Sequence, residues 1–248
     1  MTDMSRRKAI KTIGATAAVA AAGATGLSAL ASCTPAGSDT KPLKVLLING
    51  SARRNGNTNR MLEEIASQLE KNGVLSEIVQ IGAGPVRGCI ACGQCSAQRL
   101  GKCVFEDDIC NEVIEKMAAS DGLIVGAPVY YGAPAGQVLS LIQRMAYSGG
   151  RTMQGKPAAA VTVCRRGGAT ASFQTLQMPF QMLNMPIVTS QYWNIAYGSG
   201  PGEVEKDEEG MQTMRTLADN MAYMLKQFRS GSAEMPERER GKFTNFIR

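Results

Sequence analysis

The chain has 248 residues, with 27 basic against 21 acidic side chains for a formal net charge of +6, and it contains 7 cysteines and no histidine. Without imidazole there is no Ser–His–Asp triad, no Cys–His nucleophile, no Rieske-type cluster and no mixed Cys/His zinc site. With those excluded, a cofactor is expected to carry the chemistry, and no concentrated Lys/Arg face points to nucleic acid.

Residues 1–32 read as a targeting segment. Ser5-Arg6-Arg7-Lys8 is a twin-arginine opening, and an uncharged, Ala/Gly-rich stretch follows. Leu30-Ala31-Ser32-Cys33 resembles a bacterial lipoprotein cleavage box. Gly14, Gly23 and Gly26 leave the stretch only mildly apolar, which favours a cleaved signal over a membrane-spanning helix. In signals of that class the cysteine becomes the lipidated first residue, so Cys33 is expected to anchor the chain on the periplasmic side or in the cell envelope. Four of the 27 basic and one of the 21 acidic residues fall in this segment, which leaves the remainder at +3. The twin-arginine route exports folded proteins, so thiolates can be loaded with a cofactor in the reducing cytoplasm first. Residues 33–42 form a polar tether, and 43–230 are long enough for one domain with a full core.

Residues 43–49 (LKVLLIN) are a short apolar run, read as a buried parallel strand. The loop that follows, 49–58, is rich in Gly, Ser and Asn and leads directly into a helix predicted over 57–72, with Met61, Leu62, Ile65, Ala66 and Leu69 on one face and Gly73 as its stop. Strand, glycine loop and helix N-terminus form an anion cradle, to which Ser51, Asn57 and Thr58 add hydroxyl and amide donors. No GK[ST] and no G-x-G-x-x-G is present, and a polar turn with a capped helix is the plainer alternative. A second strand is predicted over 75–81.

The segment 84–104 is too long for a simple connector. It holds Cys89, Cys92, Cys95 and Cys103. Short turns between the first three aim their sulfurs inward, and a C-x2-C-x2-C start with a fourth cysteine further on is an iron–sulfur signature, read first as a [4Fe–4S] centre. The longer gap before Cys103 leaves a redox-active or vestigial thiol loop and a zinc site as alternatives. Cys110 and Cys164 read as buried small hydrophobes.

Asp107 and Asp108 open a helix carrying Ile109, Val113, Ile114 and Met117. Then come a strand over 122–127, a helix over 133–147, a strand over 157–164, a helix over 173–183 and a fifth strand over 186–195. The acidic run from Glu203 to Glu209 is expected to stabilise a helix start. Met211, Met214, Leu217, Ala218, Met221, Leu225 and Phe228 stripe a final helix at core spacing. Strands alternating with helices predict an α/β fold: a parallel sheet covered on both faces, in three layers. Residues 231–248 are a charged tail without periodicity.

The run GSARRNGNTNRML, starting at Gly50, resembles the phosphate loop of the flavodoxin-like, NAD(P)H-dependent FMN reductases. Residues 127–134 (APVYYGAP) resemble their second flavin loop, and 165–170 (RRGGAT) the loop after the fourth strand. Cys89, Cys92, Cys95 and Cys103 resemble the compact motif of the iron–sulfur flavoprotein branch. The resemblance implies a flavodoxin-like, doubly wound sheet of five parallel strands, with ligand beyond the strand carboxyl ends. It implies FMN phosphate at Ser51, Arg53, Gly56, Asn57 and Thr58. The flavin ring would lie near Pro128, Val129, Tyr130, Tyr131, Gly132, Gly167 and Gly168, with Tyr130 or Tyr131 packing against it. Arg165 and Arg166 would take the phosphates of NAD(P)H; for each arginine, Arg53 and Arg54 included, a solvated positive rim is the plainer reading.

The function so implied is an exported FMN-dependent oxidoreductase that moves electrons between a reduced donor, FMN, the cluster and an acceptor, with no side-chain acid or base. The branch implies a homo-oligomer in which flavin and cluster meet across subunits. NAD(P)H is scarce outside the cytoplasm, so a protein or membrane donor is expected in its place. An FMN-only quinone or azo-type reductase and a non-catalytic flavodoxin-like carrier are the alternatives.

Overall fold

The computed structural model describes residues 41–231 together with Ala233, Glu234 and Pro236. The expected leader, Cys33, most of the tether and most of the tail lie outside the described residues. The elements run β1 (Lys44–Asn49), α1 (Asn57–Lys71), β2 (Leu75–Gln80), α2 (Gln94–Ala97), α3 (Cys110–Ala118), β3 (Gly122–Tyr130), β4 (Ala133–Pro134), α4 (Gly136–Met153), β5 (Ala158–Cys164), α5 (Ala169–Met182), β6 (Ile195–Tyr197), a 3-10 turn (Glu203–Lys206) and α6 (Glu208–Ser230).

The parallel strands stand in the order β2-β1-β3-β5-β6, the doubly wound flavodoxin-like order, with its switch point between β1 and β3. Side chains alternate along β1. Leu46 and Ile48 join Val113, Leu141, Met145 and Leu176 on one face. Val45 and Leu47 join Met61, Ile65, Met214 and Leu217 on the other. Helices α3, α4 and α5 thus cover one face and α1 and α6 the other, giving the three layers. Burying a Leu or Ile contributes about 1.5–3 kcal/mol, and a slip of one residue would turn each set to the wrong face, so the register is fixed. The Met stripe of α6 is core, as its spacing predicts; Phe228 is the exception and is exposed.

Several boundaries differ from expectation: β3 runs on to Tyr130 rather than 127, α4 to Met153 rather than 147, and α3 starts at Cys110 rather than at Asp107, and three further boundaries shift as well. First, the fifth strand predicted over 186–195 is reduced to β6 at Ile195–Tyr197, with one isolated bridge from Ile187 to Ala158. Between them the Ser190 hydroxyl lies 2.6 Å from the Tyr192 carbonyl oxygen and 2.7 Å from Asn194 Oδ1, and its one proton serves one of them at a time. Such local bonds compete with a ladder at the sheet edge. Second, the helix predicted from 133 begins at Gly136, because Ala133 and Pro134 pair back antiparallel to Tyr130 and Val129. The two-residue connection, Tyr131 at φ 50° and Gly132 at φ 81°, has the positive φ at both positions that a tight hairpin turn requires. Third, α5 starts at Ala169 rather than 173.

Candidate functional site

A cleft of about 210 Å³ opens at the carboxyl ends of β1, β3 and β5. Its floor is set by how β1 ends. Asn49 is fully buried; its Oδ1 accepts the Ser51 N–H at 3.1 Å, and its Nδ2 donates to Gln80 at 2.5 Å and to Asn59 at 3.2 Å. Ser51 Oγ in turn accepts the Arg53 N–H at 3.1 Å. Gly50 is needed where β1 meets β3: a Cβ there would stand 2.7 Å from the Gly126 carbonyl oxygen and 2.7 Å from Val138. The chain then enters α1 through Gly56, which supplies no side-chain cap, and the first turn carries no acidic residue. The N–H groups and the positive end of the helix dipole are therefore left to an anion.

Ser51, Arg53, Gly56, Asn57, Thr58, Pro128, Val129 and Tyr130 all line this cleft. The remaining ring-loop residues do not. Tyr131 projects into solvent at the tip of the β3–β4 hairpin, and Gly132 forms its turn. Gly168, at φ 88°, packs its backbone against Gly132 and Val129, where a Cβ would approach Gly132 to 2.7 Å. It fixes the hairpin to the start of α5. Gly167 has open space around it. Asn57, expected as a phosphate donor, is already engaged: its Nδ2 donates to the Gly200 carbonyl at 2.9 Å and its Oδ1 accepts the Val204 N–H at 3.4 Å.

That tie brings in a wall that sequence reasoning missed. Gly198, Ser199 and Pro201, after β6, line the cleft, as do Val163, Cys164 and Arg165. Glu203 shapes this wall by accepting the N–H groups of Ser199 and Gly200, both at 2.8 Å. Those N–H groups hold its carboxyl below the usual range. Of the acidic run, Asp207 does what was expected: it caps α6 by accepting the Gly210 N–H at 2.9 Å. Cys164 is buried, and burial pushes its thiol up despite the nearby N–H groups of Ala169 and Arg166. A Gly-Ser-Gly-Pro run before an acidic stretch was the available signal for this third wall.

The four loop cysteines line a single small pocket with Gly88, Ile90, Val104, Phe105, Arg144 and Tyr147. The loop is coiled by left-handed residues, Ala91, Gly93, Arg99 and Gly101, and the Ala91 N–H donates to the Cys89 sulfur at 3.4 Å. Cys89 and Cys92 are exposed, Cys95 and Cys103 partly so. As placed, no three His, Cys, Asp or Glu side chains among the described residues stand in a metal-holding arrangement. The donor set nevertheless fits an iron–sulfur centre in its chemistry: four thiols line one pocket, and a backbone N–H donates to one of the sulfurs. Cys110, behind it, is fully buried and its thiol is pushed up to about 12 by burial, so it stays protonated.

The ends of this loop are clasped together. Arg144 is fully buried and pairs with the buried Asp108. Its guanidinium also donates to the Arg87 carbonyl at 3.0 Å and to the Phe105 carbonyl at 3.5 Å. Asp108 accepts the N–H groups of Arg87 at 2.8 Å and Cys110 at 3.0 Å. Asn111 pins Cys103 at both its N–H and its carbonyl, at 2.9 and 3.0 Å. Arg144 was not expected from the sequence. It sits among Val138, Leu141, Ile142 and Met145 of α4, and a charge within an apolar stripe was the legible sign.

Residues 43–200 match the family described as NADPH-dependent FMN reductase. An iron–sulfur flavoprotein of Methanocaldococcus jannaschii is 31% identical over 192 residues, covering 74% of this chain and 98% of that protein. One from Archaeoglobus fulgidus is 35% identical over 174 residues, covering 67% and 74%. Among solved structures, RosB with a bound 8-demethyl-8-formylriboflavin-5'-phosphate intermediate superposes with a TM-score of 0.61 at 16% identity, covering 83% of this chain and 94% of that one. A WrbA-like flavodoxin from Agrobacterium tumefaciens gives 0.53 at 19%, covering 75% and 99%. At those identities the two structures speak to the fold.

Proposed function

This chain belongs to the NADPH-dependent FMN reductase family, and on that premise we propose that it is a flavin-dependent oxidoreductase holding FMN in the cleft and a [4Fe–4S] cluster on Cys89, Cys92, Cys95 and Cys103. The observation that carries the reading is the pairing of two sites on one fold: an uncapped helix N-terminus at the switch-point cleft, and one pocket lined by all four loop cysteines. Ser51, Thr58 and the first N–H groups of α1 bind the phosphate, and Arg53 adds charge there. Asn57 holds the 198–201 wall in place. Pro128, Val129 and Tyr130 flank the ring, and the packing of Gly168 against Gly132 and Val129, too close to admit a Cβ, steadies them. Bound FMN accepts a hydride or two electrons and passes them on singly, and the cluster handles one electron at a time.

Export and lipid attachment belong to the same proposal. They rest on Arg6-Arg7 and on Leu30-Ala31-Ser32-Cys33. At the envelope the donor is a reduced protein or membrane component rather than NAD(P)H. The proposed working unit is a homo-oligomer, as in the branch the cysteine motif resembles.

The test is the visible spectrum and iron content of protein purified without air. The expected result is flavin bands over a broad cluster absorbance. Cys92→Ser should remove the broad absorbance and the iron while leaving the flavin. A colourless protein overturns the proposal, and a yellow protein without iron supports the FMN-only reductase. Steady NAD(P)H oxidation with a small acceptor excludes a pure carrier.

A further inference from the structure

Arg144 is the largest fully buried side chain described, and it serves two purposes at once. Its guanidinium reaches the carbonyls on both sides of the cysteine loop, Arg87 before it and Phe105 after it. It also forms part of the wall of the four-cysteine pocket, which its partner Asp108 does not. Its Nε is buried without a hydrogen-bond partner. The guanidinium is a permanent cation, and it is paired with the Asp108 carboxylate, whose side chain is nearly as buried as its own. A buried ion pair normally leaves no donor unmet, because an orphaned buried N–H costs free energy. Here the unmet donor belongs to a cation on the wall of a thiol pocket.

We infer that Arg144 is the positioning and charge-tuning residue of the cysteine centre: it ties the two ends of the loop and presents a fixed positive charge to the sulfurs, raising the centre's reduction potential. The inference rests on the reading that these cysteines hold an iron–sulfur cluster. Four thiolates around an iron–sulfide core carry net negative charge, and one added electron deepens it. Net charge and hydrogen bonds to sulfur are the terms that set such potentials. In a low-dielectric wall a cation is screened little, so it favours the reduced form. Asp108 offsets this in part, but from behind the guanidinium.

The experiment is a potentiometric titration of the full chain, purified without air, with dithionite and mediators, following the spin-resonance signal of the reduced centre beside its iron content. The event is a one-electron reduction with no bond made or broken. Asp108→Asn keeps the shape and leaves the cation uncompensated, so the potential should rise. Arg144→Gln with Asp108→Asn removes both charges and orphans neither. At a fixed poise its reduced-to-oxidised ratio should fall about tenfold below wild type, about 59 mV for one electron. Arg144→Lys keeps the charge but loses the fork, so iron retention should fall while the potential of the loaded fraction stays near wild type. A double variant with wild-type iron and wild-type potential overturns the proposal. If that variant does not fold, an unchanged or lowered potential in Asp108→Asn overturns it instead. Wild type without iron removes the underlying reading, and that outcome shows before any variant is made.

Discussion

The two halves of the proposed cofactor apparatus are built in opposite ways. The cleft is made from strand ends and a long helix start: its residues come from the ends of the largely buried strands β1, β3 and β5 and the loops that follow them, and close backbone approaches at Gly50 and Gly168 set its shape. The cysteine pocket hangs outside the sheet on a loop with little regular structure, two of its cysteines exposed. What orders it is a buried polar clasp: Arg144, Asp108 and Asn111. The cleft is therefore rigid by packing and the pocket by charge and hydrogen bonding. Packing tolerates pH and salt and fails through clashes. A buried ion pair fails when either partner is removed.

Removing the cation alone should be the largest effect. Arg144→Ala leaves Asp108 buried and unpaired, and denaturant unfolding should show a loss of about 3–5 kcal/mol; a loss under about 1 kcal/mol would mean that the clasp is not structural. Gly50→Ala attacks the cleft through packing. Its Cβ would meet the Gly126 carbonyl, which is backbone and cannot move aside. We expect a loss of about 1–3 kcal/mol with poor FMN retention and normal iron, measured by thermal unfolding and flavin fluorescence; normal flavin occupancy would break the contrast between the halves.

Asn57→Ala should act more gently. It frees the 198–201 wall from α1, and with about 1 kcal/mol per hydrogen bond, FMN affinity should fall about fivefold. Flavin titration of the apoprotein checks this, and iron content should be unaffected.

The smallest effect concerns acid. Burial pushes the Asp108 carboxyl up, but the N–H groups of Arg87 and Cys110 and the Arg144 guanidinium outweigh it and hold the carboxyl below its usual range. A depressed carboxyl gives stability that is fully present above its unfolded value of about 3.9 and is lost as pH falls through the folded value. Urea midpoints below about pH 4 should therefore drop faster in wild type than in Asp108→Asn. Parallel curves would remove Asp108 from the account of acid sensitivity.

The sequence made the frame of this molecule legible where local periodicity was strong. The apolar runs at β1, β3 and β5 and the spacing along α1 and α6 are each properties of one segment, and the structure follows them closely. It was least legible at the edge. The run 186–195 reads as a strand, but Ser190 pairs locally with Asn194 Oδ1 and the ladder forms only at Ile195–Tyr197. The hairpin at Tyr131-Gly132 was hidden because tyrosine is not a residue that advertises positive φ. Of the candidate site, the phosphate loop and the first part of the ring loop converge on the cleft, whereas Tyr131 faces solvent and Asn57 serves as a brace.

By itself, then, the sequence determined the alternation of strands and helices, the glycine-bearing anion loop and the grouping of four thiols, because each is written within a short span. Only the tertiary structure decided that Gly198, Ser199 and Pro201 complete the cleft, and that Arg144 closes a loop whose ends lie 57 and 39 residues away at Arg87 and Phe105. Contacts across such separations leave no period in the chain. They arise when burying a whole helix face carries one charged residue inward and the nearest carboxylate and carbonyls must answer it.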